Sequence, residues 1–329
     1  MRFEWRSLIV CSALAVAIAC LVVLSLMTGS YPLTPGQVIS ALTGGEPALV
    51  NEIVVEWRLP RVTAALVFGA ALGMSGAVFQ SLLRNPLADP GIIGFSQGSF
   101  TGALIVILLV NGAYWQLVCG ALLGGMVTAV AVYLLSYRRG VQGFRLIVVG
   151  IGVSAMLGSL NTWLILKADL DQAMAAAAWG AGSLNGISWN QVIIGGACIA
   201  VLMLLAMMMS RAMRQLELGD DTAAAQGVRV SATRLGLIVV GVALTATVTA
   251  TSGPIAFISL AAPQIGRRLA RTAGITLAPA AFVGALLCLG ADYIAQHIVP
   301  TPLPVGILTV MLGGGYLGWL LYIEARRRL

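Results

Sequence analysis

Apolar runs of about 20 residues recur along this chain, and they constrain its fold more than any other feature, since each is long enough to cross a bilayer as a helix. Hydrophobic residues make up 59% of the 329 positions and charged residues only 9%, with a mean hydropathy of +0.96. A soluble protein of this length would need far more surface charge. The sequence therefore predicts an all-α polytopic membrane protein with one integral-membrane domain over 1–329.

The apolar runs, bounded by arginine, glycine and proline, predict about ten membrane-spanning helices. The first is expected to be retained, although Ala17–Cys20 loosely resembles a lipoprotein cleavage site, because its apolar stretch exceeds a typical signal segment. The eighth is short and contains Pro263, while Gly69 and Gly73 predict close helix packing in the second. The predicted spans are 7–28, 62–82, 92–110, 114–136, 144–166, 192–210, 235–251, 255–270, 277–297 and 305–323.

The distribution of basic residues predicts the orientation. With a cytoplasmic N-terminus, 16 of the 19 basic residues fall on the inner side and three fall outside, namely Arg58, Arg61 and Lys167. Both termini are therefore predicted to be cytoplasmic, and this asymmetry explains the net charge of +7 without nucleic acid. Arg58 and Arg61 oppose the trend, and two interpretations stay open. They anchor a helix end and pair with Glu52 or Glu56, or they dock an acidic partner.

The residues that carry catalysis in other proteins are scarce here. The only histidine, His297, excludes histidine–metal clusters and Ser-His-Asp triads, and the only lysine, Lys167, has no P-loop around it. Asp292 lies near a span interior, where an ion-driven carrier would place a carboxylate, but a lone Asp at such a helix end is more often a structural cap or packing contact, and ion coupling is the alternative. The cysteines show no CxxC spacing and are expected to be small core residues: Cys11, Cys20, Cys119, Cys198 and Cys288.

The predicted inner loop 211–234 is longer than a simple connection requires. Its centre, Gly219–Gly227, reads as a short helix that Asp220 or Asp221 starts and Gly227 ends. A loop that builds an additional helix at a membrane surface is expected to contact a partner.

The fifth predicted span carries more polar side chains than its neighbours. Ser154, Ser159, Asn161 and Thr162 all lie within it. Polar groups in a span face a cavity or bond to another helix, and both possibilities stay open.

Five segments together resemble a known family. They occur in that family's order and spacing and cover nearly the whole chain: WRLPR at 57–61, GAALGMSGAVFQSLLRNPLADPGIIGFSQG at 69–98, GDDTAAAQG at 219–227, GPIAFISLAAP at 253–263 and LPVG at 303–306. The chain resembles the FecCD-type permease subunits of iron-siderophore and vitamin B12 ABC importers. Its nearest likeness is to ferric-enterobactin-type permeases, through FRLIVVGIGVSAML at 144–157 and NTWL at 161–164.

The resemblance implies a type II ABC importer permease fold of ten helices. Two permease subunits enclose a pathway, two ATPase subunits bind inside, and a periplasmic binding protein docks outside through residues matching Arg58 and Arg61. The fifth helix lines the pathway, to which we assign Ser154, Asn161 and Thr162. The short inner helix enters a groove of the ATPase, which implies a coupling role for Gly219, Asp220, Asp221, Thr222, Gln226 and Gly227.

Taken together, these features predict a multi-pass inner-membrane permease for a ferric siderophore, expected to be a catecholate. The chain itself is expected to contact membrane lipid, to bind no cofactor and to catalyse no reaction, since the ATPase uses the ATP and Mg. A paralogous permease is the expected second subunit. A heme or corrinoid importer is the first alternative, an ion-coupled carrier the second, and a membrane enzyme the third. The chain departs from relatives at Gln264, often histidine, and at Gln296, near a basic position of B12-type permeases.

Overall fold

The computed structural model describes residues 5–91, 94–110, 114–136, 143–297 and 302–328, and within these ranges the regular structure is entirely helical. One π-helical segment, Glu52–Arg58, joins the helices Ala48–Asn51 and Leu59–Leu83. The helices are α1 Trp5–Met27, α2 Pro35–Leu42, α3 Ala48–Asn51, α4 Leu59–Leu83, α5 Phe95–Val110, α6 Tyr114–Ser136, α7 Gly143–Lys167, α8 Leu170–Gly180, α9 Trp189–Glu217, α10 Asp220–Ala225, α11 Val230–Ser252, α12 Ile258–Ala270, α13 Leu277–His297 and α14 Val305–Arg328.

Each of the ten predicted spans coincides with a helix. Seven helical segments of the described chain are long and apolar enough to cross a membrane: α1, the continuous stretch from α3 to α4, α6, α7, α9, α11 and α13. Two further apolar helices, α5 and the first half of α14, are shorter. The predicted eighth span is α12, which has 13 residues and carries Arg267 and Arg268 in its last turn. The apolar runs therefore located the helices, and seven of them meet the length of a span.

Several short helices lie between the predicted spans, in segments that contain no long apolar run from which a helix could be predicted. In α2, Thr34 accepts a hydrogen bond from the N–H of Gln37 at 3.3 Å, and the Gln37 side chain accepts one from the N–H of Thr34 at 2.9 Å. This reciprocal cap, with Pro35 in the first turn, starts a helix of only eight residues.

The centre of the bundle is α4, whose glycine face packs directly against α13. A Cβ atom placed on Gly69 would lie 2.4 Å from the carbonyl oxygen of Gly284, and one on Gly73 would lie 2.2 Å from that of Ala280. Any larger side chain would force the two backbones apart. The predicted close-packing face is therefore confirmed, and α13 is its partner.

The predicted core position of the cysteines is wrong for most of them. Cys288 is buried, but Cys20, Cys119 and Cys198 are exposed on helix surfaces, and all five cysteines are free. An apolar run in a membrane protein does not distinguish the core from a surface that meets hydrocarbon, because both accept a small apolar side chain.

Candidate functional site

The helix that carries the WRLPR motif changes its hydrogen-bonding pattern at that motif. Glu52–Arg58 is π-helical, and the N–H of Leu59 bonds to the carbonyl oxygen of Val54, five residues earlier. Pro60 follows, and in a regular α-helix its ring would collide with the carbonyl group four residues before it. We attribute the wider π turn to this proline, because it lets Ala48–Leu83 continue as one helical stretch.

Arg58 projects from the end of the π segment into the turn that follows α1. Its Nη1 donates to the carbonyl oxygen of Leu26 at 2.7 Å, and its Nη2 donates to that of Tyr31 at 2.6 Å. Gly29, at φ +149°, leaves the space for the guanidinium, since a Cβ there would lie 2.7 Å from Nη2. The guanidinium is thus held in place by neutral backbone acceptors.

Arg61 lies one turn further along and binds a buried carboxylate on α13. Its Nε donates to Oδ2 of Asp292 at 2.9 Å and its Nη2 donates to Oδ1 at 2.8 Å, the bidentate geometry of a strong arginine–carboxylate pair. The Asp292 side chain is 2% exposed and that of Arg61 16%. Gln296 adds a third donor, from its Nε2 to Oδ2 of Asp292 at 2.7 Å. We call Arg58, Arg61, Asp292 and Gln296 the arginine rim.

The sequence left open which carboxylates pair with Arg58 and Arg61, and the structure answers this for the described residues. In the described residues neither Glu52 nor Glu56 lies within salt-bridge distance of an arginine, and Asp292, 231 positions along the chain, takes Arg61 instead. Asp292 therefore has a structural contact, the role that the sequence favoured over ion coupling. Gln296, at the departure from B12-type relatives, bonds to the same carboxylate.

The short helix predicted over Gly219–Gly227 is present as α10. Gly219, at φ +118°, precedes it, and Gly227, at φ +86°, follows it, so both ends use backbone conformations that favour glycine. Asp220 and Asp221 lie in its first turn without a side-chain capping bond. Their negative charges interact favourably with the positive end of the helix dipole there. Ala223 packs in the core and Gly219 is partly buried, whereas the other candidate residues are exposed: Asp220, Asp221, Thr222, Gln226 and Gly227.

Asp220 ties α10 to two long helices. Its Oδ1 accepts from Nη2 of Arg84, at the end of α4, at 3.1 Å and from Nη2 of Arg234, on α11, at 2.8 Å. Arg84 also donates to the carbonyl oxygen of Leu216 at 2.6 Å. A movement of α10 would therefore be transmitted through Asp220 to the ends of both α4 and α11.

The polar residues predicted in the fifth span lie in two different environments. Asn161 is 2% exposed, accepts from Thr101 at 2.7 Å and donates to Oε1 of Gln97 at 3.1 Å, so it joins α7 to α5. Thr162 is exposed and donates to the carbonyl oxygen of Gly158 in its own helix. Ser154 is partly buried.

Two adjoining cavities lie beside α5 and the non-helical segment 253–257. The larger, about 460 Å³, is lined by Asn161 and Thr162, and the smaller, about 320 Å³, by Asp89 and Thr245. Both are lined by Ser96, Gln97 and Pro254. Non-helical backbone at membrane depth is tolerated where it lines such a cavity. Sequence reasoning missed Ser96 and Gln97, although both lie in the SQG end of the 69–98 segment.

Asp89 is a further polar residue that the sequence did not single out. It lies in the connection between α4 and α5 and accepts a short hydrogen bond from Ser259, in the first turn of α12. Burial raises the pKa of the Asp89 carboxyl above its usual value, while the bonds from Ser259 and the N–H of Gly91 oppose that rise. The carboxyl group thereby fixes the connection to α12, and its signal was the Asp-Pro pair in the NPLADP stretch.

Gln264, where many relatives have histidine, belongs to a second link between α12 and the same connection. Its Nε2 donates to Oε1 of Gln80 at 2.6 Å and to the carbonyl oxygen of Pro86 at 3.3 Å. Gln80 in turn donates to the carbonyl oxygen of Leu260 at 2.9 Å. Both side chains are buried, and an amide supplies the donor and the acceptor that this pairing requires.

Comparison with known proteins agrees with this architecture. The chain matches the FecCD transport family over residues 16–323. It is 47% identical to the ferric enterobactin transport system permease protein FepG of Escherichia coli (strain K12), covering 98% of each chain. It is 34% identical to the hemin transport system permease protein HmuU of Yersinia pestis, covering 82% of this chain and 83% of that one. A solved chain, described as an inward-facing conformation of a metal-chelate type ABC transporter, aligns with a TM-score of 0.84 at 26% identity, covering 96% of this chain and 99% of that one.

Proposed function

The chain belongs to the FecCD transport family, and from this premise we propose that it is the permease subunit that carries a ferric siderophore of the catecholate class across the bacterial inner membrane. The observation that carries the proposal is the identity of 47%, over 98% of both chains, to a ferric enterobactin permease. Its several apolar helices fit a multi-pass inner-membrane protein. As a permease of this kind the chain works with an ATPase and a substrate-binding protein.

The proposed topology has ten crossings, a type II importer fold and both termini in the cytoplasm. The placement of 16 of 19 basic residues on one side supports it, as does the alignment with a metal-chelate transporter. The arginine rim then faces the periplasm, and α10 faces the cytoplasm.

The arginine rim is the proposed docking surface for the periplasmic binding protein. The bonds of Arg58 and Arg61 hold both guanidinium groups at one end of α4, next to the exposed Trp57. Guanidinium groups form charge-assisted bonds with carboxylates, so an acidic surface of the binding protein is the expected counterpart.

The exposed face of α10 is the proposed contact with the ATPase, which binds and hydrolyses ATP with Mg. Gly227→Trp is a poor test, because φ +86° would strain any side chain there. Ala224→Trp on the exposed face should instead uncouple transport from ATP hydrolysis, while the matched exposed alanine of α13, in Ala278→Trp, should not. Normal uptake and ATPase capture by Ala224→Trp would refute the assignment.

The larger cavity is the proposed part of the pathway. In a variant without the native cysteines, Thr162→Cys should react with a water-soluble thiol reagent in at least one nucleotide state, because Thr162 is exposed beside that cavity. Asn161→Cys serves as the matched buried neighbour and should react more slowly. Protection of Thr162→Cys in every state would remove α7 from the pathway.

The second permease subunit is proposed to be a paralogue, so that the pair is a heterodimer. Two differently tagged copies of this chain, co-expressed with the paralogue, should then not purify together. Co-purification of both tags would indicate a homodimer.

Transport by the reconstituted complex tests the substrate class. Proteoliposomes with the ATPase and ATP inside and the binding protein outside should take up ⁵⁵Fe from a tris-catecholate complex. The same vesicles should take up less iron from a hydroxamate complex and less heme, the ligand class that the 34% identical hemin permease represents. Preferential heme uptake would reverse the assignment, and uptake driven by an ion gradient without ATP would indicate a secondary carrier.

A further inference from the structure

The two arginines of the rim differ in whether their charge is compensated, and this difference predicts different roles in docking. The inference rests on the proposed docking function and divides it between Arg58 and Arg61. Both lie on the same helical stretch three residues apart, so position alone does not separate them. Their partners do.

The charge of Arg58 is not cancelled by any carboxylate of the described chain. Its bonds go to two backbone carbonyl groups, of Leu26 and Tyr31, and no Asp or Glu oxygen lies within 4.0 Å among the residues that the structure places. A carbonyl dipole orients the guanidinium but removes none of its net charge. A partner that reaches the rim therefore meets a guanidinium at Arg58 that no carboxylate of the described residues cancels at contact distance, with Glu56 exposed two residues earlier.

The charge of Arg61 is cancelled at close range. Asp292 takes two of its donors at 2.9 Å and 2.8 Å, through Nε and Nη2, which leaves Nη1 as the end not engaged by that carboxylate. From a distance of several ångströms such a pair has no net charge, only a small dipole. A pair of this kind contributes little to long-range attraction, which is screened beyond about 8 Å at physiological salt.

Asp292 is well placed to act as a positioning residue. Its carboxylate receives Arg61 from α4 and Gln296 from its own helix. The same two long helices are in backbone contact at Gly69 and Gly284. The carboxylate thus fixes the orientation of the Arg61 fork relative to a rigid helix pair.

We propose that Arg58 supplies the net positive charge by which the rim attracts an acidic binding-protein surface, and that Asp292 neutralises Arg61 and holds it as a structural part of that rim. The partner chemistry is an acidic protein surface. Although Asp292 is buried and does not meet the partner, its charge affects the attraction of that partner. Replacing it by a neutral residue exposes the charge of Arg61 and should strengthen electrostatic attraction.

Four variants with neutral amides test the division: Arg58→Gln, Arg61→Gln, Asp292→Asn and the double variant Arg61→Gln/Asp292→Asn. The association and dissociation rate constants of the binding protein are measured at low and high salt on each complete complex in nanodiscs. Arg58→Gln should lower the rate several-fold at low salt and flatten its salt dependence, because losing a rim charge slows association. Asp292→Asn should raise the low-salt rate and steepen the dependence.

The double variant is decisive. Arg61→Gln alone leaves the negative charge of Asp292 uncompensated and should slow association, and adding Asp292→Asn should recover most of that loss, since the pair was neutral from the start. The inference expects the double variant to keep the wild-type dissociation rate as well. If Arg61 itself met the partner, the double variant would dissociate several-fold faster than the wild type even though its association rate recovered, and the inference would be overturned. The thermal unfolding midpoint of each complex, measured alongside, separates misfolding from lost attraction.

Failure of the docking proposal gives a different pattern. A wild-type rate that is insensitive to salt and unchanged by Arg58→Gln would remove the rim from docking altogether. A salt-dependent rate that falls more with the double variant than with Arg58→Gln would keep docking and exchange the roles of the two arginines. If Asp292→Asn does not assemble, Arg58→Gln and the double variant still distinguish these cases.

Discussion

The two ends of the bundle hold carboxylates in opposite ways. At the arginine rim, Asp292 is 2% exposed and its partner Arg61 16% exposed. At the α10 end, the Asp220 side chain is 47% exposed, and of its two partners Arg84 is 46% exposed and Arg234 16% exposed. A buried ion pair is costly to break because the remaining charge has no water, whereas an exposed pair contributes little. An arginine–carboxylate pair therefore makes the arginine rim rigid where it is buried, and leaves the α10 end free to move where it is exposed.

This difference matches the work proposed for each end. A docking surface must present charges in a fixed arrangement, and the rim is backed by the tight packing of α4 against α13. A coupling helix must move with the ATPase and transmit that motion, and α10 is held through Asp220, one buried alanine and short connections. The different burial of the two ends therefore parallels the docking and coupling roles proposed for them.

The largest expected effect comes from breaking the buried pair. Arg61→Ala leaves the Asp292 carboxylate without its cation, and a change of this type costs about 3–5 kcal/mol. The free energy of unfolding in detergent should fall accordingly, or the protein should fail to accumulate in the membrane. Arg58→Ala is the control, since it removes bonds to backbone carbonyl groups only. Equal losses for the two variants would mean that burial of the pair does not set its contribution.

A smaller effect is expected from the backbone at the α10 end. Gly227→Ala places a Cβ on a residue at φ +86°, which costs about 1–2 kcal/mol. No neighbouring atom lies within 4 Å of that Cβ in the described chain, so the loss should come from the backbone alone. Thermal unfolding of the complex measures it, with Gln226→Ala, at the exposed neighbouring residue with φ −86°, as the comparison. A stable Gly227→Ala variant would show that the loop adapts without cost.

The smallest effect on stability is expected from the exposed pair. Asp220→Asn removes the charge between Arg84 and Arg234, and exposed pairs contribute only about 0.2–1 kcal/mol. Transport should fall more than stability does, because α10 loses its link to α4 and α11. Uptake per ATP hydrolysed is the measurement. A loss of stability as large as that of Arg61→Ala would erase the contrast between the two ends.

The helices and the α10 motif could be predicted because their signals are local. Long apolar runs marked the spans, and Asp220 or Asp221 at the start with Gly227 at the end marked α10. The eighth predicted span was less accurate, since α12 has only 13 residues and two arginines in its last turn. The π segment had a local cause in Pro60, but a proline inside an apolar run predicts a break as readily as a wider turn.

The partners of the site residues could not be predicted, because they come from distant parts of the chain. Asp292 lies 231 positions from Arg61, while Glu52 and Glu56 were nearer in sequence and equally plausible as acids. Asn161 was recognised as polar, but only the packing of α7 against α5 shows that Thr101 and Gln97 satisfy it. Without the fold, a polar residue in a span carries no indication of which side it faces.

The division between a docking end and a coupling end is tested most directly by iron uptake in proteoliposomes, measured against the concentration of binding protein. Arg58→Glu should raise the half-saturating concentration and leave the maximal rate nearly unchanged, because a high concentration compensates for weak docking. Ala224→Trp should lower the maximal rate at an unchanged half-saturating concentration, because its defect follows docking. If both variants altered the same parameter in the same way, the two ends would not have separate roles.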